Sequence, residues 1–179
     1  MIEKIKLDID YKELLDADYS QHYGSCISYQ KREQQDIHST VGGFPVSYHE
    51  DNTRIQQLWF SKEDLDYADL GKKLNMEVIT VSTILQPPGN VVTLHRDTFF
   101  KINNLYPEDE RLKVRANIYM QDWAPGHFIN YQDKNLDWQT STHWRQGEGF
   151  LWDSQHLHLS ANAGLVNKYT LQVSGFYNA

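Results

Sequence analysis

The sequence predicts a mainly β protein, an antiparallel sandwich or jelly roll whose helices are confined to the first half of the chain. From residue 76 onward, β-branched and aromatic runs alternate with clusters of Pro, Gly, Asn and Asp, which is typical of successive short strands. Aromatic residues make up 13% of the chain, a proportion that suits sheets better than a helical bundle. No repeat, low-complexity tract or linker interrupts the 179 residues, so we expect a single domain.

The first half of the chain carries the helical signals. Residues 5–9 alternate apolar and charged side chains, as a first strand does, and residues 11–20 favour one or two helical turns. Residues 20–60 are short polar and aromatic segments that we expect to form loops and small strands over the core. The strongest helix signal covers residues 61–75, with Ser61 as its N-cap and basic residues in the last turn.

The second half is predicted to supply the sheets. We therefore expect residues 1–80 to cover a jelly-roll core formed by residues 81–179, within one domain spanning 1–179. The segment 122–144 is long, aromatic and marked by Pro-Gly, which is typical either of a lid or of residues that pack over one end of the barrel. The predicted strands are 76–86, 91–99, 112–121, 147–154, 156–162 and 168–176.

Composition and charge exclude several classes of function. A net charge of −7 without a basic stripe argues against a nucleic-acid partner. Cys26 is the only cysteine, so no internal disulfide is possible. The first residues lack the apolar core of a signal peptide, and no stretch approaches the ~20 apolar residues of a membrane span. We expect an intracellular, cytoplasmic protein, and its acidity favours a neutral or basic substrate.

One short motif carries potential chemistry. In the run "VVTLHRDTFF", His95 and Asp97 are two residues apart within a predicted strand. Alternate side chains of a strand share a face, so these two would project together with Arg96 turned away. An imidazole and a carboxylate aimed at one point form either a buried hydrogen-bonded pair or two-thirds of a metal site.

A third donor would decide between those two readings. Two histidines and one carboxylate form the usual ligand set of non-haem Fe(II). The run "HLHLSAN" offers His156 and His158 on one face of a strand, and 61 residues separate Asp97 from His158, which leaves room for about five strands around a barrel. Eight histidines make a chance His-x-Asp pair plausible, and a second one, at residues 49–51, lies in a charged stretch that we interpret as a solvated turn.

These motifs resemble a known family. "HRD", then "GEGFLWDSQHLHLSAN", then "NKYTLQVSG", within residues 84–176, are similar to the Fe(II)/2-oxoglutarate-dependent dioxygenases, and in particular to their aspartyl/asparaginyl β-hydroxylase-like and prolyl-hydroxylase-like branches. The resemblance implies a double-stranded β-helix, the cupin-like form of the jelly roll, with the helices of the first half packed outside. The residues that match the order of the β-hydroxylase branch are Gly147, Glu148, Trp152, Asp153, His158 and Asn162.

The resemblance also implies roles for the metal-ligating residues. His95, Asp97 and His158 would hold Fe(II), with 2-oxoglutarate as cosubstrate and O2 as oxidant. The family places a basic residue about ten positions after the distal histidine, and Lys168 lies ten after His158 but twelve after His156. By the same comparison, His156 becomes a neighbour of the metal site.

The anchor for 2-oxoglutarate has two candidates. Lys168, with Thr170 two residues on, corresponds to the basic and hydroxyl residues that hold the distal carboxylate in relatives. Arg115 is the rival, because many β-hydroxylase-like relatives carry an arginine near this place. Lysine holds a carboxylate as a point charge, whereas arginine offers a bidentate fork. Further inward polar residues that are candidates for holding the cosubstrate are Asn117, Tyr119 and Gln172.

The function implied is a hydroxylase that couples decarboxylation of 2-oxoglutarate to succinate with C–H hydroxylation of a peptide side chain or a small metabolite. Two other readings stay open. One is a cupin-like metalloenzyme that uses the same donors without 2-oxoglutarate, in which Lys168 and Thr170 would have no role. The other is a non-catalytic jelly-roll binding module with structural histidines.

Overall fold

The structure is a computed structural model that describes residues 1–19, 35–37, 39–40, 43 and 53–178. Cys26 and the second His-x-Asp pair at residues 49–51 lie outside the described residues. The helices are α1 (Lys12–Leu15), α2 (Tyr67–Leu74) and α3 (Phe100–Leu105). The strands are β1 (Ile2–Lys6), β2 (Gln56–Phe60), β3 (Met76–Gln86), β4 (Asn90–His95), β5 (Lys113–Tyr119), β6 (His127–Gln132), β7 (Trp138–Ser141), β8 (Glu148–Asp153), β9 (His158–Asn162) and β10 (Lys168–Tyr177).

The strands form two antiparallel sheets, as the sequence predicted for a jelly roll. The larger sheet has six strands in the order β1-β8-β5-β10-β3-β2, and the smaller has four in the order β4-β9-β6-β7. Consecutive strands alternate between the sheets along much of the chain, which produces a double-stranded β-helix. β1, β2 and the start of β3 come from the first 80 residues and are strands of the larger sheet. Among the described residues, no helix has the length and apolar character needed to cross a bilayer.

The two faces of the larger sheet have different chemistry because side chains alternate along each strand. On β10, Leu171 and Val173 point to the outer face and are completely buried, while Gln172 and Ser174 point to the inner face. Burial of each such aliphatic side chain contributes about 1.5–3 kcal/mol. The outer face therefore holds the main core, and the inner face is left for a polar site. The buried residues of that core are Leu7, Tyr11, Leu14, Leu70, Leu74, Met76, Val78, Val81, Val114, Ala116, Ile118, Met120, Leu151, Leu171 and Val173.

Helix α2 begins later than predicted. Ser61 and Asp64 do bond reciprocally, with the Ser61 N–H donating to Asp64 Oδ2 at 2.7 Å, but they close only a single turn. Asp66 is extended, with a ψ of 92°, and its carboxylate accepts two backbone N–H groups as the true N-cap of a helix that begins at Tyr67. The predicted start at Ser61 is therefore wrong. The helix ends at Asn75 in the left-handed conformation, as helix C-termini commonly do.

Two predictions around residue 97 are also wrong. The predicted strand 91–99 ends at His95, so Asp97 lies beyond β4, and helix α3 lies in the half of the chain where no helix was predicted.

Two further corrections concern later parts of the chain. The segment 122–144, predicted as a long loop, contains the β6–β7 hairpin, whose residues pair with each other from Ile129 to Gln132. The predicted strand 156–162 begins only at His158. His156 precedes that strand, and its Nδ1 lies 3.1 Å from Asp153 Oδ1, so the two histidines do not share a strand face.

Candidate metal centre and adjoining cavity

Three side chains converge on one point between the sheets. β4 pairs with β9 so that His95 lies opposite His158, and their ring centroids are 4.2 Å apart. Asp97 follows β4 by two residues and brings Oδ1 to 4.0 Å from His95 Nε2. One ligand atom from each of the three buried residues lies within 4.8 Å of the others. The sequence predicted this meeting, but as one across a barrel, whereas the histidines are on neighbouring strands of one sheet.

Backbone carbonyls fix the orientation of both imidazoles. His95 Nδ1 lies 2.7 Å from the Thr93 carbonyl oxygen, and His158 Nδ1 lies 3.0 Å from the His156 carbonyl oxygen. A carbonyl oxygen only accepts hydrogen bonds, so Nδ1 carries the proton in each ring. Nε2 of each ring is then an unprotonated donor atom, which is the form that binds a metal.

Burial keeps the two imidazoles neutral. Desolvation, reinforced by the neighbouring His158, lowers the pKa of His95 to about 3. Desolvation also lowers the pKa of His158. Both rings are therefore neutral at neutral pH, with the proton on Nδ1, and a cation does not have to displace a proton from either Nε2.

Asp97 is held as a carboxylate by two donors. Burial alone would raise its pKa, but the nearby Arg115 and the two histidines lower it well below the usual range for aspartate. Arg115 Nη1 donates to Asp97 Oδ1, and Trp152 Nε1 donates to Asp97 Oδ2 at 2.9 Å. A carboxylate oxygen has two lone pairs, so these contacts leave acceptor capacity for a metal. Two imidazole nitrogens and one ionised carboxylate match the ligand set of non-haem Fe(II).

A cavity of about 450 Å³ adjoins the three ligands. Its inner wall includes Arg115, Asn117, Thr170, Gln172 and Ser174, which are inner-face residues of β5 and β10. Asn117 Oδ1 accepts a hydrogen bond of 2.8 Å from Gln172 Nε2, which orients the amide. Asn117 Nδ2 is buried and has no partner among the described residues. The amide therefore presents a donor that a ligand in the cavity can satisfy.

Lys168 is a buried cation close to this cavity. It is the first residue of β10, and its side chain is among the largest that are fully buried. Its ammonium donates to Ser160 Oγ, which lines the cavity, and lies 3.4 Å from the Phe128 carbonyl oxygen. Burial lowers the pKa of Lys168 to about 7. Within the described part of the chain, no carboxylate contacts Lys168, so its charge lacks a counterion.

Arg115, the other candidate for binding 2-oxoglutarate, already forms hydrogen bonds within the protein. Its Nη1 contacts Asp97, and its Nε donates to Ser174 Oγ at 2.9 Å. The guanidinium thus takes part in holding the aspartate, and the structure places it next to the candidate ligands.

Tyr119, predicted as a candidate for holding the cosubstrate, is not among the residues that line the cavity and packs with aromatic side chains of the segment 122–144. The Tyr119 ring stacks on Trp144 with centroids 3.8 Å apart, and its hydroxyl lies 3.4 Å from Ser141 Oγ. Trp144 and Tyr131 are both buried and belong to the same cluster. These aromatic residues of the segment 122–144 pack against the barrel, which agrees with the packing interpretation of that segment.

Some residues near the site were not identified from the sequence. Ser160 follows His158 by two residues, so the period of a strand could have placed both on one face. Trp152 was recognised as part of a motif, but its bond to Asp97 was not predicted. Trp59 and Lys101 lie far apart in the sequence and meet only through the fold, so no local pattern could have linked them.

Comparisons with known proteins identify the fold. No protein-family model matches the chain, and no curated protein matches its sequence. Among solved structures, a Pseudomonas putida prolyl-4-hydroxylase aligns over 98% of this chain and 92% of its own, with a TM-score of 0.59 and 15% identity. The non-haem α-ketoglutarate-dependent carbocyclase SnoK from nogalamycin biosynthesis aligns over 98% of this chain and 79% of its own, with a TM-score of 0.59 and 11% identity.

The non-haem α-ketoglutarate-dependent epimerase SnoN from nogalamycin biosynthesis aligns over 98% of this chain and 78% of its own, with a TM-score of 0.58 and 10% identity. At such low identity, these likenesses concern the fold. The chain therefore has the fold of the Fe(II)/2-oxoglutarate-dependent oxygenases, the superfamily that its sequence motifs resemble.

Proposed function

We propose that the protein is an Fe(II)- and 2-oxoglutarate-dependent dioxygenase that hydroxylates a C–H bond of a small metabolite or a peptide side chain. The observation that supports this most is the convergence of His95, Asp97 and His158 beside a buried lysine without a counterion. The ligands alone fit several metalloenzymes. Lys168, a buried cation without a counterion, favours a second ligand in the same cavity that is an anion.

The three ligands would hold Fe(II) through His95 Nε2, His158 Nε2 and a carboxylate oxygen of Asp97. With 2-oxoglutarate also bound, Fe(II) held by these residues would supply the oxidising chemistry, in which O2, 2-oxoglutarate and the substrate would yield succinate, CO2 and the hydroxylated substrate. Arg115 and Trp152 keep the carboxylate ionised and fixed in place. Such outer contacts to metal ligands typically change metal affinity by about 10–100-fold when they are removed.

Lys168 would bind the distal carboxylate of 2-oxoglutarate. The ammonium sits behind Ser160, whose hydroxyl faces the cavity, and Thr170 lies two residues farther along β10. A buried lysine with a pKa of about 7 is partly neutral in the free protein. An arriving carboxylate would favour its charged form, since opposite charges stabilise each other strongly in a low dielectric.

The existing bonds of Arg115 favour Lys168 as the anchor. Arg115 already donates to Asp97 and Ser174, whereas the partners of Lys168 are all uncharged. They are Ser160 Oγ, the Phe128 carbonyl oxygen and the Trp144 ring, whose centroid is 5.7 Å from the ammonium. The unpartnered Nδ2 of Asn117 is a further donor for an oxygen of the bound cosubstrate.

The other two readings explain less of the structure. A cupin-like metalloenzyme without 2-oxoglutarate would use the same triad but would leave Lys168 buried for no purpose, at an energetic cost. A non-catalytic module would leave Nε2 of both histidines without a role.

The test is a succinate assay on the purified protein with Fe(II), 2-oxoglutarate and O2. We expect slow succinate formation even without substrate, and its loss in His158→Ala. His156→Gln is the matched control, because His156 lies two residues away and contacts Asp153. Circular dichroism should show that each variant is folded. Succinate formation that persists in folded His158→Ala would disprove the assignment.

A further inference from the structure

We infer that the substrate is a small organic anion with an apolar body, and that Lys101 at the cavity mouth selects its charged group. This inference rests on the proposed function, because it concerns the substrate of the same site. It is carried by the shape of the cavity, by the position of Lys101 and by the distribution of charge around the cavity.

The cavity opens between the edge strand β2 and the segment 98–102. Exposure rises along both walls toward solvent, from 3% at Gln57 to 45% at Trp59 on β2, and from 3% at Phe99 to 46% at Phe100 on the other side. All of these residues line the cavity. The mouth is therefore formed by two half-exposed aromatic side chains, which offer apolar surface to the body of a substrate.

Lys101 is held at this mouth. Its ammonium lies 4.0 Å from the centroid of the Trp59 ring, a cation–π contact that joins the two walls. Lys101 is exposed and also lines the cavity, and no carboxylate of the described residues pairs with it. A ring contact positions the ammonium but leaves its solvent side open to an anion.

The charges of the other residues that line the cavity also favour an anionic substrate. Asp97 is the only acidic residue among the described residues of the lining, and it pairs with Arg115. Once Fe(II) and 2-oxoglutarate are bound, their charges together with those of Asp97, Arg115 and Lys168 leave a net positive cavity, and Lys101 adds to it. An anionic substrate balances that charge, whereas a cationic one would be repelled.

This inference reverses the expectation drawn from the whole sequence. The net charge of −7 favoured a neutral or basic substrate, yet the cavity surface is locally cationic. Substrate selection depends on the local charge within a water-poor cavity more than on the total charge, which solvent and salt screen. The cationic mouth on an acidic protein is thus a specific feature of this site.

The experiment measures binding without turnover. The full chain is loaded with Zn(II) in place of Fe(II) and saturated with 2-oxoglutarate, and dissociation constants are measured by ligand-observed NMR. The probes are two carboxylates, each compared with its neutral amide: octanoate with octanamide, and 3-phenylpropionate with 3-phenylpropionamide. A fifth probe, 2-phenylethyl phosphate, tests whether the site prefers phosphate to carboxylate. We expect the anions to bind about three- to tenfold more tightly than the matched amides, as for a partly exposed ion pair.

Variants of Lys101 test whether this residue causes the preference for anions over amides. Lys101→Gln should bring the ratio of the two dissociation constants close to one, and Lys101→Arg should retain the preference. Lys62→Gln is the matched control, because Lys62 also lies over an aromatic ring, Tyr67 at 5.9 Å, away from the cavity. If the phosphate probe binds and the carboxylates do not, and if Lys101→Gln abolishes that binding, the inference is supported with phosphate as the anionic group of the substrate.

Four results would overturn the inference. They are equal binding of anions and amides, a preference that survives in Lys101→Gln, a panel in which nothing binds, and anions that excess 2-oxoglutarate displaces. Succinate formation in the separate assay would then still support the proposed function. Conversely, an anion preference that depends on Lys101, without succinate formation, would retain the anion site and reject the dioxygenase.

Discussion

His95 and His158 are register partners on β4 and β9, and their ring centroids lie 4.2 Å apart. Each ring donates its Nδ1 proton to a backbone carbonyl and turns Nε2 toward the same point. A cation bound there would connect two neighbouring strands and the segment after β4 that carries Asp97. Metal binding is therefore expected to stabilise the fold as well as to prepare the site.

The first prediction concerns this stabilisation. A divalent metal at 100 times its dissociation constant should add about 2.7 kcal/mol to the free energy of unfolding. For a chain of this size, that corresponds to a rise in Tm of roughly 5–11 °C. Differential scanning calorimetry with and without Zn(II) measures it. The rise should disappear in Asp97→Asn and persist in His156→Gln, and a rise that persists in Asp97→Asn would contradict the assigned ligands.

The second prediction concerns the indole that fixes the aspartate. Trp152→Phe keeps most of the ring but removes the 2.9 Å bond from Nε1 to Asp97 Oδ2, so metal affinity should fall by about 10–100-fold. Isothermal titration with Co(II) measures the affinity. Trp123→Phe is the control, because Trp123 Nε1 donates to the His127 carbonyl at 2.7 Å. Equal affinities in Trp152→Phe and the wild type would show that the bond does not orient the ligand.

The third prediction separates the two basic residues. Lys168→Met should raise the KM for 2-oxoglutarate by about ten- to a hundredfold, the value of one charged hydrogen bond, while metal affinity stays near that of the wild type. Arg115→Gln should instead weaken metal binding, because it removes the guanidinium that hydrogen-bonds to Asp97 and Ser174 and so holds the carboxylate in place. Succinate kinetics and metal titration on both variants give the two readouts. The reverse pattern would make Arg115 the anchor.

The fourth prediction follows from the lowered pKa of Lys168. Its ordinary value is 10.5, and burial lowers it to about 7 in the fold, so between these values the unfolded chain binds more protons than the folded one. The contribution of Lys168 to stability therefore becomes less unfavourable as pH rises from 7 toward 10. Without 2-oxoglutarate, Lys168→Met should be more stable than the wild type at pH 7, on the order of 1–4 kcal/mol.

The measurement for Lys168 is urea unfolding of both proteins across this pH range. The stability advantage of Lys168→Met should shrink steadily toward pH 10. An advantage that is constant with pH would mean that Lys168 keeps its ordinary pKa.

Much of the fold could be predicted because its signals are local. The alternation of polar and apolar residues over 168–176 predicts a strand, and the structure buries its apolar residues Leu171 and Val173 in the core. The start of α2 was missed because Ser61 and Asp64 form a genuine capping pair that closes only one turn. Nothing in the sequence shows that the extended conformation of Asp66 interrupts that turn.

The candidate site was predictable where it rested on motif spacing and on the family resemblance, whereas the strand that was predicted to carry both His95 and Asp97 ends at His95. His95 and Asp97, with His158, come together as predicted. The role of Arg115 was not predictable, because its bond to Asp97 depends on β5 and the end of β4 lying across from each other in different sheets. Contacts of that kind follow from tertiary geometry and leave no pattern along the chain.

The β6–β7 hairpin was missed for a similar reason. The segment 122–144 has Pro-Gly and many polar residues, which are typical of loops. Its strands are short, and β7 has mostly exposed side chains, so no apolar alternation marks it. Pairing with β9 stabilises β6 from outside the segment, through backbone bonds that sequence patterns do not report.

The position of β2 at the border of its sheet has a practical consequence for protein engineering. Among the described strands, β2 pairs with β3 alone, and it supplies Trp59 to the opening of the cavity. Libraries that randomise Trp59, Phe100 and Lys101 would alter the opening of the cavity without changing any of the three candidate metal ligands. Redesign of the cavity opening can thus be separated from preservation of the candidate metal centre.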